Sequence, residues 1–250
     1  MGAYSTVKFP KSFLKKIKIV RTKNIGKKKK KLKDLESLIK LDNQNNDFTP
    51  YENLNDQKAV FEIRKAGLNI LMSMKGDKKG VAFIEDCAVT LENLADYTER
   101  LRDVFRKYNT EGLFYAHASV GTLHVRPILN AKSEQDIKNM KAIAQEAFAM
   151  VKEYKGSHSG EHGDGIVRSE FHEMMFGKKI VGAFEEIKDT FDPKGLLNPG
   201  KIIRAFKSDD RTLMRYKPGY KAENISTHYD WSAWGQLSDA VEMCNNNGAC

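Results

Sequence analysis

Two long helix-forming segments with a short β-rich stretch between them constrain the fold of this chain most. Apolar residues recur at helical spacing over residues 91–108. Residues 133–154 form the second helical pattern, with Ser133 as its predicted cap and acidic residues in its first turn. Between the two, residues 113–129 have the composition of two strands interrupted by Ser119-Val-Gly121. Helices that alternate with strands predict a layered α+β or α/β domain.

Further elements are predicted on both sides of this centre. Residues 57–71 have a helical pattern that breaks at residues 76–80, and the apolar run over residues 81–89 predicts a strand. A third long helix is predicted over residues 169–191, because Asp192-Pro-Lys-Gly195 stops the pattern there. We therefore expect the packed domain to begin near residue 56.

Charge is divided unevenly along the chain. The first 33 residues hold 13 Lys or Arg and no acid, whereas the remainder has a net charge of −4. Blocks of like charge resist compaction, so we predict a poorly ordered basic leader and linker over residues 1–55. The alternative is that the leader contacts RNA or an anionic lipid surface. The slightly acidic remainder argues against nucleic acid as a partner of the domain itself.

The apolar and cysteine content predicts a cytoplasmic protein. No run approaches the roughly 18 consecutive apolar residues of a membrane span, and the N-terminal region lacks the apolar centre of a secretory signal. Three cysteines, Cys87, Cys244 and Cys250, are too few for a disulfide framework in a chain of 250 residues. Peripheral contact with the inner face of the membrane is the alternative location.

Two histidine-rich motifs carry the residues best suited to chemistry. The first contains His117 and His124, and the second is Ser159-Gly-Glu161-His-Gly-Asp-Gly165. Imidazole nitrogens and a carboxylate oxygen form a donor set that Zn(II) or Mn(II) accepts, so His117, His124 and Glu161 are candidate metal ligands. Such a cation would bind a substrate oxygen directly and lower the pKa of a hydroxyl group.

His162 is predicted to act differently from its neighbour Glu161. An imidazole beside a polarised hydroxyl can remove its proton near neutral pH, and the flanking glycines let both side chains point inward. The same spacing also fits histidines that form only structural hydrogen bonds, and the spacing alone leaves both interpretations open. His158, His172 and His228 are interpreted as surface or structural residues.

The motifs resemble those of a known family. They run in order as His117-Ala-Ser-Val-Gly-Thr-Leu-His124-Val-Arg-Pro, Ser159-Gly-Glu-His-Gly-Asp-Gly-Ile-Val-Arg-Ser-Glu170 and Phe191-Asp-Pro-Lys-Gly-Leu-Leu-Asn-Pro-Gly-Lys-Ile202. Together they resemble the C-terminal domain of FAD-linked oxidases, of the D-lactate dehydrogenase and glycolate oxidase type in the vanillyl-alcohol oxidase superfamily. The resemblance covers residues 56–206. It implies an α+β cap domain, an antiparallel sheet covered by long helices, that lacks the domain holding most of the FAD.

The resemblance also implies a role for each motif residue. Metal-dependent members bind a divalent cation through the residues that correspond to His117, His124 and Glu161, and they use the equivalent of His162 as a base. The implied reaction is oxidation of a D-2-hydroxy acid, such as D-lactate, to the 2-oxo acid, in which hydride passes from Cα to the flavin.

Three further residues receive roles from the resemblance alone. Arg64 lies where many members place an arginine that contacts the substrate carboxylate. Asn198 and Lys201 belong to the motif on the FAD side of the domain. The resemblance also implies an FAD-binding domain or chain as a partner. In agreement, the sequence has no glycine-rich dinucleotide motif and no phosphate loop.

The sequence departs from the family pattern in ways that indicate one branch of it. Many members have Gly-Asp-Gly-Asn between the two histidines, where this chain has Ala118-Ser-Val-Gly-Thr122. Together with the ending Met243-Cys-Asn-Asn-Asn-Gly-Ala-Cys250, this variant resembles the branch fused to an iron–sulfur module. Cys244 and Cys250 would then begin a cluster-binding segment within residues 207–250, with a 4Fe-4S cluster in the complete protein. The alternative is that these two cysteines bind nothing, while Cys87 is interpreted as a small buried apolar residue.

Two other functional classes stay open on the sequence. In one, His117, His124 and Glu161 activate water in a non-redox metal-dependent hydrolase. In the other, the motifs are relics in an inactive fragment whose basic leader binds nucleic acid or lipid.

Overall fold

The computed structural model describes residue 33 and residues 53–244, apart from the side chains of residues 64 and 68–72. Most of the predicted leader and linker over residues 1–55, and also Cys250, lie outside the described residues. Within residue 33 and residues 53–244, no helix is both long and apolar enough to cross a membrane.

A four-stranded antiparallel sheet forms the centre of the domain. Its strands are β1 (Lys78–Gly80), β2 (Cys87–Ala88), β3 (Gly112–His117) and β4 (Thr122–Asn130). Strand β4 pairs with β3 along one edge, and with β2 and β1 at the two ends of its other edge. The predicted α+β class with an antiparallel sheet is therefore confirmed.

The described residues also form seven α-helices. They are α1 (Leu54–Met72), α2 (Leu94–Lys107), α3 (Glu134–Glu153), α4 (Gly165–Ser169), α5 (His172–Phe176), α6 (Lys178–Phe191) and α7 (Leu237–Val241). Helices α2 and α3 pack on each other, and α3 also contacts β4 and α5. The two helical patterns that flank the β-rich stretch thus correspond to real helices.

The start of α3 shows why the sequence folds as it does here. Ser133 has an extended backbone, and its hydroxyl accepts a hydrogen bond from the Asp136 backbone N–H. Acidic side chains at Glu134 and Asp136 lie beside the positive end of the helix dipole. The predicted cap at Ser133 is confirmed.

Two predicted elements are wrong in part. Only Cys87–Ala88 is a strand within residues 81–89, because Asp86 has a φ of +61°, which a regular strand does not allow. The helix predicted over residues 169–191 is divided instead, since Gly177 between α5 and α6 has a φ of +82° and a ψ of 157°. A glycine reaches this conformation without steric cost, so it separates two helices that the apolar pattern joins.

The apolar core lies between the sheet and the two long helices. Its largest members are fully buried and come from β4, α2, α3 and the turn before β2: Ile84, Tyr97, Leu101, Phe105, Val125, Ile143, Phe148 and Val151. Burying one such side chain contributes about 1.5–3 kcal/mol. The core fixes the sheet, and the loop of residues 156–165 is attached to it by two backbone hydrogen bonds between Ala88 and Ser157, of 2.8 and 2.9 Å.

Candidate metal and substrate site

The β3–β4 hairpin brings the two histidines of the first motif together. Tyr115 pairs with His124 across the two strands, and His117 lies two residues after Tyr115 on the same face. The His117 and His124 rings are 5.0 Å apart between centroids. The turn that joins the strands ends at Gly121, whose φ is +75° and where a Cβ atom would lie 1.8 Å from the Val89 carbonyl oxygen. A glycine is therefore required at this close approach.

Glu161 reaches these histidines from the loop of residues 156–165. Its Oε1 atom lies 2.9 Å from His124 Nε2 and 3.5 Å from His117 Nε2. One donor atom from each of the three residues lies within 4.8 Å of the other two. Ligands at about 2.0–2.2 Å from a tetrahedral zinc ion lie about 3.3–3.6 Å from one another. The structure thus brings together the three predicted ligands at a spacing that fits a divalent cation.

The environment of the His124 imidazole is a second observation that fits a metal ligand. Its side chain is 3% exposed, and neither ring nitrogen forms a hydrogen bond of adequate geometry among the described residues, although Glu161 Oε1 lies close to Nε2. Burial lowers the pKa of His124 below its usual value, against the opposing effect of Glu161 and Glu85. The neutral imidazole, which is the form that binds a metal, is therefore favoured.

His162 lies beside this donor set and is open to solvent. Its Nε2 atom is 3.6 Å from Glu161 Oε1, and its Nδ1 atom is 3.9 Å from Glu85 Oε2. The ring centroid is 5.2 Å from that of His124. With 42% of its side chain exposed, His162 can meet a substrate that approaches from outside, which the buried His124 cannot do.

Glu85 is a site residue that the sequence reasoning missed. Its carboxylate is buried and accepts hydrogen bonds from Arg126 Nε and Nη2, both at 3.0 Å, and from the Tyr115 hydroxyl at 2.9 Å. Burial, followed by the Glu85 hydrogen bond, raises the pKa of Tyr115, so its hydroxyl remains a donor. The Tyr115 ring stacks on His124 at 4.5 Å. Glu85 therefore fixes the ring that covers one face of a predicted ligand.

Asp86 was also missed, and it positions the second motif. Its fully buried carboxylate accepts the backbone N–H groups of Glu161 and His162 at 2.7 and 2.6 Å. The same carboxylate forms an ion pair with the buried guanidinium of Arg168. Two adjacent acids within the apolar run of residues 81–89 were the available signal, because buried charges are rare unless they are paired.

The remaining predicted residues lie apart from this group of contacts. Arg64 is in α1, and its side chain is outside the described residues. Asn198 and Lys201 are exposed, and the Lys201 ammonium donates a 3.3 Å hydrogen bond to Asn198 Oδ1. Cys244 is exposed at the end of the described chain, whereas Cys87 is buried, which raises the pKa of its thiol to about 12. The prediction that Cys87 is a buried apolar residue agrees with this environment.

Comparison with known proteins identifies the family. Residues 25–202 match the family described as FAD linked oxidases, C-terminal domain. The chain therefore belongs to the FAD-linked oxidase C-terminal domain family.

Curated relatives include several dehydrogenases of 2-hydroxy acids. The D-2-hydroxyglutarate dehydrogenase of Pseudomonas putida is 34% identical over 191 residues, which cover 76% of this chain and 19% of that protein. The enzyme of the same name from Haemophilus influenzae is 32% identical over 196 residues, 77% of this chain and 18% of that protein. The D-lactate dehydrogenase of Archaeoglobus fulgidus is 31% identical over 149 residues, 60% of this chain and 31% of that protein. The chain thus spans between about a fifth and a third of the length of these relatives.

Proposed function

We propose that this chain is the substrate-side, flavin-capping part of an FAD-dependent dehydrogenase that oxidises a D-2-hydroxy acid to the 2-oxo acid. The observation that carries the proposal is the convergence of His117, His124 and Glu161 beside an exposed His162. Family membership and the names of the relatives support the same reaction class.

His117, His124 and Glu161 would hold the divalent cation, Zn(II) or Mn(II). When bound, the cation would neutralise the substrate carboxylate and make the 2-hydroxyl group more acidic. Two histidines and one carboxylate leave further positions for substrate oxygens. Arg64 is the proposed second contact of the substrate carboxylate, since α1 carries it within the family domain.

His162 is the proposed acceptor of the hydroxyl proton. Its exposed ring lies next to Glu161, so a hydroxyl held by the ligand group comes within its reach. Asp86 accepts the backbone N–H groups of both Glu161 and His162, which fixes the base relative to the ligand. FAD would supply the redox chemistry by accepting hydride from Cα.

The partners follow from the same reasoning. An FAD-binding domain or chain is proposed to contact the exposed segment that carries Asn198 and Lys201. Electrons are proposed to leave toward an iron–sulfur module that begins at Cys244 and Cys250, or toward another acceptor. The proposed location of the reaction is the cytoplasm.

The proposal is tested by coexpressing this chain with an FAD-binding chain of the same family and purifying the complex. Under anaerobic conditions, D-2-hydroxyglutarate or D-lactate should bleach the flavin absorbance, whereas the L enantiomers should not. Removing the metal with a chelator should abolish the bleaching, and adding Zn(II) or Mn(II) should restore it. A flavin-loaded complex that no D-2-hydroxy acid reduces would contradict the proposal.

A further inference from the structure

A second cluster of metal-type ligands includes two residues of the loop that carries Glu161. It consists of His158, Asp164 and His172, and one donor atom of each lies within 4.8 Å of the other two. His158 and His172 are buried, with 1% and 2% of their side chains exposed, and Asp164 is 17% exposed. This cluster shares no residue with the group of His117, His124 and Glu161.

The hydrogen bonds of His172 define which of its nitrogens carries a proton. Its Nδ1 atom lies 2.7 Å from the Ile202 carbonyl oxygen, which can only accept, so Nδ1 is the donor. The Nε2 atom faces Asp164 Oδ2 at 2.9 Å. This contact leaves Nε2 as the ring nitrogen that faces the carboxylate, where a cation could lie between the two atoms. Donation of the second ring N–H to a backbone carbonyl is also the arrangement usual for metal-binding histidines.

His158 supplies an independent observation that points to a ligand. Its Nε2 atom lies 3.2 Å from Asp164 Oδ1, yet neither of its ring nitrogens, nor Asp164 Oδ1, has a hydrogen-bond partner of adequate geometry among the described residues. A buried polar atom without a partner costs about 1–3 kcal/mol. Since His158 Nε2 and Asp164 Oδ1 lie 3.2 Å apart, a single ion between them could contact both atoms.

We propose that His158 Nε2, Asp164 and His172 Nε2 bind a divalent cation of the Zn(II) class. The oxygen–nitrogen separations of 2.9 and 3.2 Å are close to the distance between neighbouring ligands of a four-coordinate zinc ion, about 3.3–3.6 Å. A set of two imidazoles and one carboxylate is the chemistry that such borderline cations accept.

The surroundings of this second site favour a structural ion over one that contacts substrate. Phe176 lies 5.5 Å from the His158 ring and 5.4 Å from the His172 ring, and Phe148 lies 5.3 Å from His158, all between centroids. Because the two histidine side chains are almost fully buried, a substrate has no open approach to them. The ion would instead join the loop at His158 and Asp164 to α5.

This ion would fix both ends of the segment that presents Glu161 and His162, because His158 precedes that pair and Asp164 follows it. Through His172 and the Ile202 carbonyl, it would also attach the end of the segment that carries Asn198 and Lys201. The second cation would thus position two parts of the proposed active site without contacting substrate.

Metal content of the full 250-residue chain tests the proposal, with Zn(II) as the probe. The chain is loaded with Zn(II), desalted and analysed by atomic emission. A variant with His124→Gln and Glu161→Gln should retain one tightly held ion per chain, and adding His158→Gln and His172→Gln should remove it. His228→Gln, in an exposed histidine outside both clusters, is the matched control and should leave the content unchanged.

The outcomes separate the two sites. If wild type and the His124/Glu161 variant hold one ion each, only the second site binds zinc, which leaves this proposal intact and contradicts the metal of the proposed function. If the variant with all four substitutions keeps as many ions as the His124/Glu161 variant, the second site is refuted. Should that variant fail to fold, anomalous scattering at the zinc edge from crystals of the wild type decides. A peak between His158, Asp164 and His172 is expected, and its lack overturns the proposal.

Discussion

At the scale of single residues, the carboxylate of Asp86 joins the sheet to the loop that carries the proposed chemistry. It accepts two backbone N–H groups and pairs with Arg168, and all of these contacts are buried. Asp86→Asn removes the negative charge and leaves Arg168 buried without its counter-ion. We expect a loss of about 3–5 kcal/mol in the free energy of unfolding, measured by urea denaturation.

The matched control is Asp103→Asn, which breaks an exposed ion pair with Arg106 on α2. Exposed pairs contribute about 0–1 kcal/mol, so this variant should unfold close to wild type. Equal stability of the Asp86 and Asp103 variants would show that Asp86 does not hold the loop.

His162 is tested by its own substitution in the complex with an FAD-binding chain. His162→Gln should keep the fold and the metal and lower kcat by about 10²- to 10⁴-fold, the usual effect of losing a general base. Glu161→Ala should instead release the ion held with His117 and His124, and His228→Gln should leave turnover unchanged. Turnover like that of wild type in the His162 variant, with metal retained, would assign the base to another residue.

How much of the site the sequence predicts depends on the type of residue. His117, His124, Glu161 and His162 were found because histidines are scarce in this chain and metal ligands need nitrogen and oxygen donors. The roles of Glu85 and Asp86 depend on burial and on contacts with distant residues, which local spacing does not reveal. For the same reason, His158 and His172 were interpreted as surface or structural, and their convergence on Asp164 became visible only in three dimensions.

At the scale of secondary-structure elements, the β3–β4 turn depends on Gly121. A side chain there would need a φ of +75° and would meet the Val89 carbonyl oxygen. Gly121→Ala should therefore push the β3–β4 turn away from Val89 and lower the free energy of unfolding by more than about 2 kcal/mol, the upper limit of the conformational cost alone. Calorimetry or denaturant titration would measure this change.

Gly76→Ala provides the control for that experiment. Gly76 has a similar φ of +83° but nothing within 4 Å of an added Cβ. This variant should lose only about 1–2 kcal/mol in the free energy of unfolding, which is the cost of a left-handed backbone conformation for a residue with a side chain. If both variants lose the same stability, the close approach to Val89 contributes nothing.

Glu170, between α4 and α5, is expected to make the stability of the domain depend on pH. It accepts the Ser208 backbone N–H at 2.8 Å and pairs with Lys141 and Lys207 at 3.0 and 3.1 Å. Burial raises the pKa of Glu170, but these contacts outweigh it and lower the pKa from 4.5 to about 2. Its contribution is therefore fully present above pH 4.5 and lost as the pH falls toward 2.

Unfolding free energies measured against pH should show this effect directly. Glu170→Gln should lose about 1–3 kcal/mol near pH 7, and the difference from wild type should disappear near pH 2. Glu99→Gln, which changes an exposed pair with Arg102, should follow wild type throughout. A constant difference at every pH would exclude the carboxylate as its cause.

The sequence predicts long secondary-structure elements better than short ones. Helices α2 and α3 and strands β3 and β4 are long enough for their apolar periodicity to be clear. Strands β1 and β2 have only three and two residues, too few for a period, and their positions depend on pairing with β4. A pattern based on hydrophobicity alone does not predict that the acidic residues within residues 81–89 are buried.

At the scale of the whole molecule, exposed apolar side chains lie at the last residue of α6 and in the segment after it. Phe191, Leu196 and Leu197 are 84%, 73% and 63% exposed, on the segment proposed to face the FAD-binding part. Leu196→Ser with Leu197→Ser should weaken copurification with an FAD-binding chain and leave thermal unfolding of the free chain unchanged. The matched control replaces Ile225 and Val241, which are also exposed, by Ser. Equal recovery of both complexes would move the contact to another surface.

The contacts of Asp86 also determine the order in which the molecule assembles. They join residues 75, 76 and 82 positions apart in the chain, whereas β3 and β4 meet across a short turn. Long-range contacts must first overcome a larger loss of chain entropy. We therefore expect the β3–β4 hairpin and helices α2 and α3 to form early, and the loop of residues 156–165 to fold last. A refolding chain should then regain its far-ultraviolet circular dichroism before it regains metal affinity. During that interval it has a native-like sheet and no binding site.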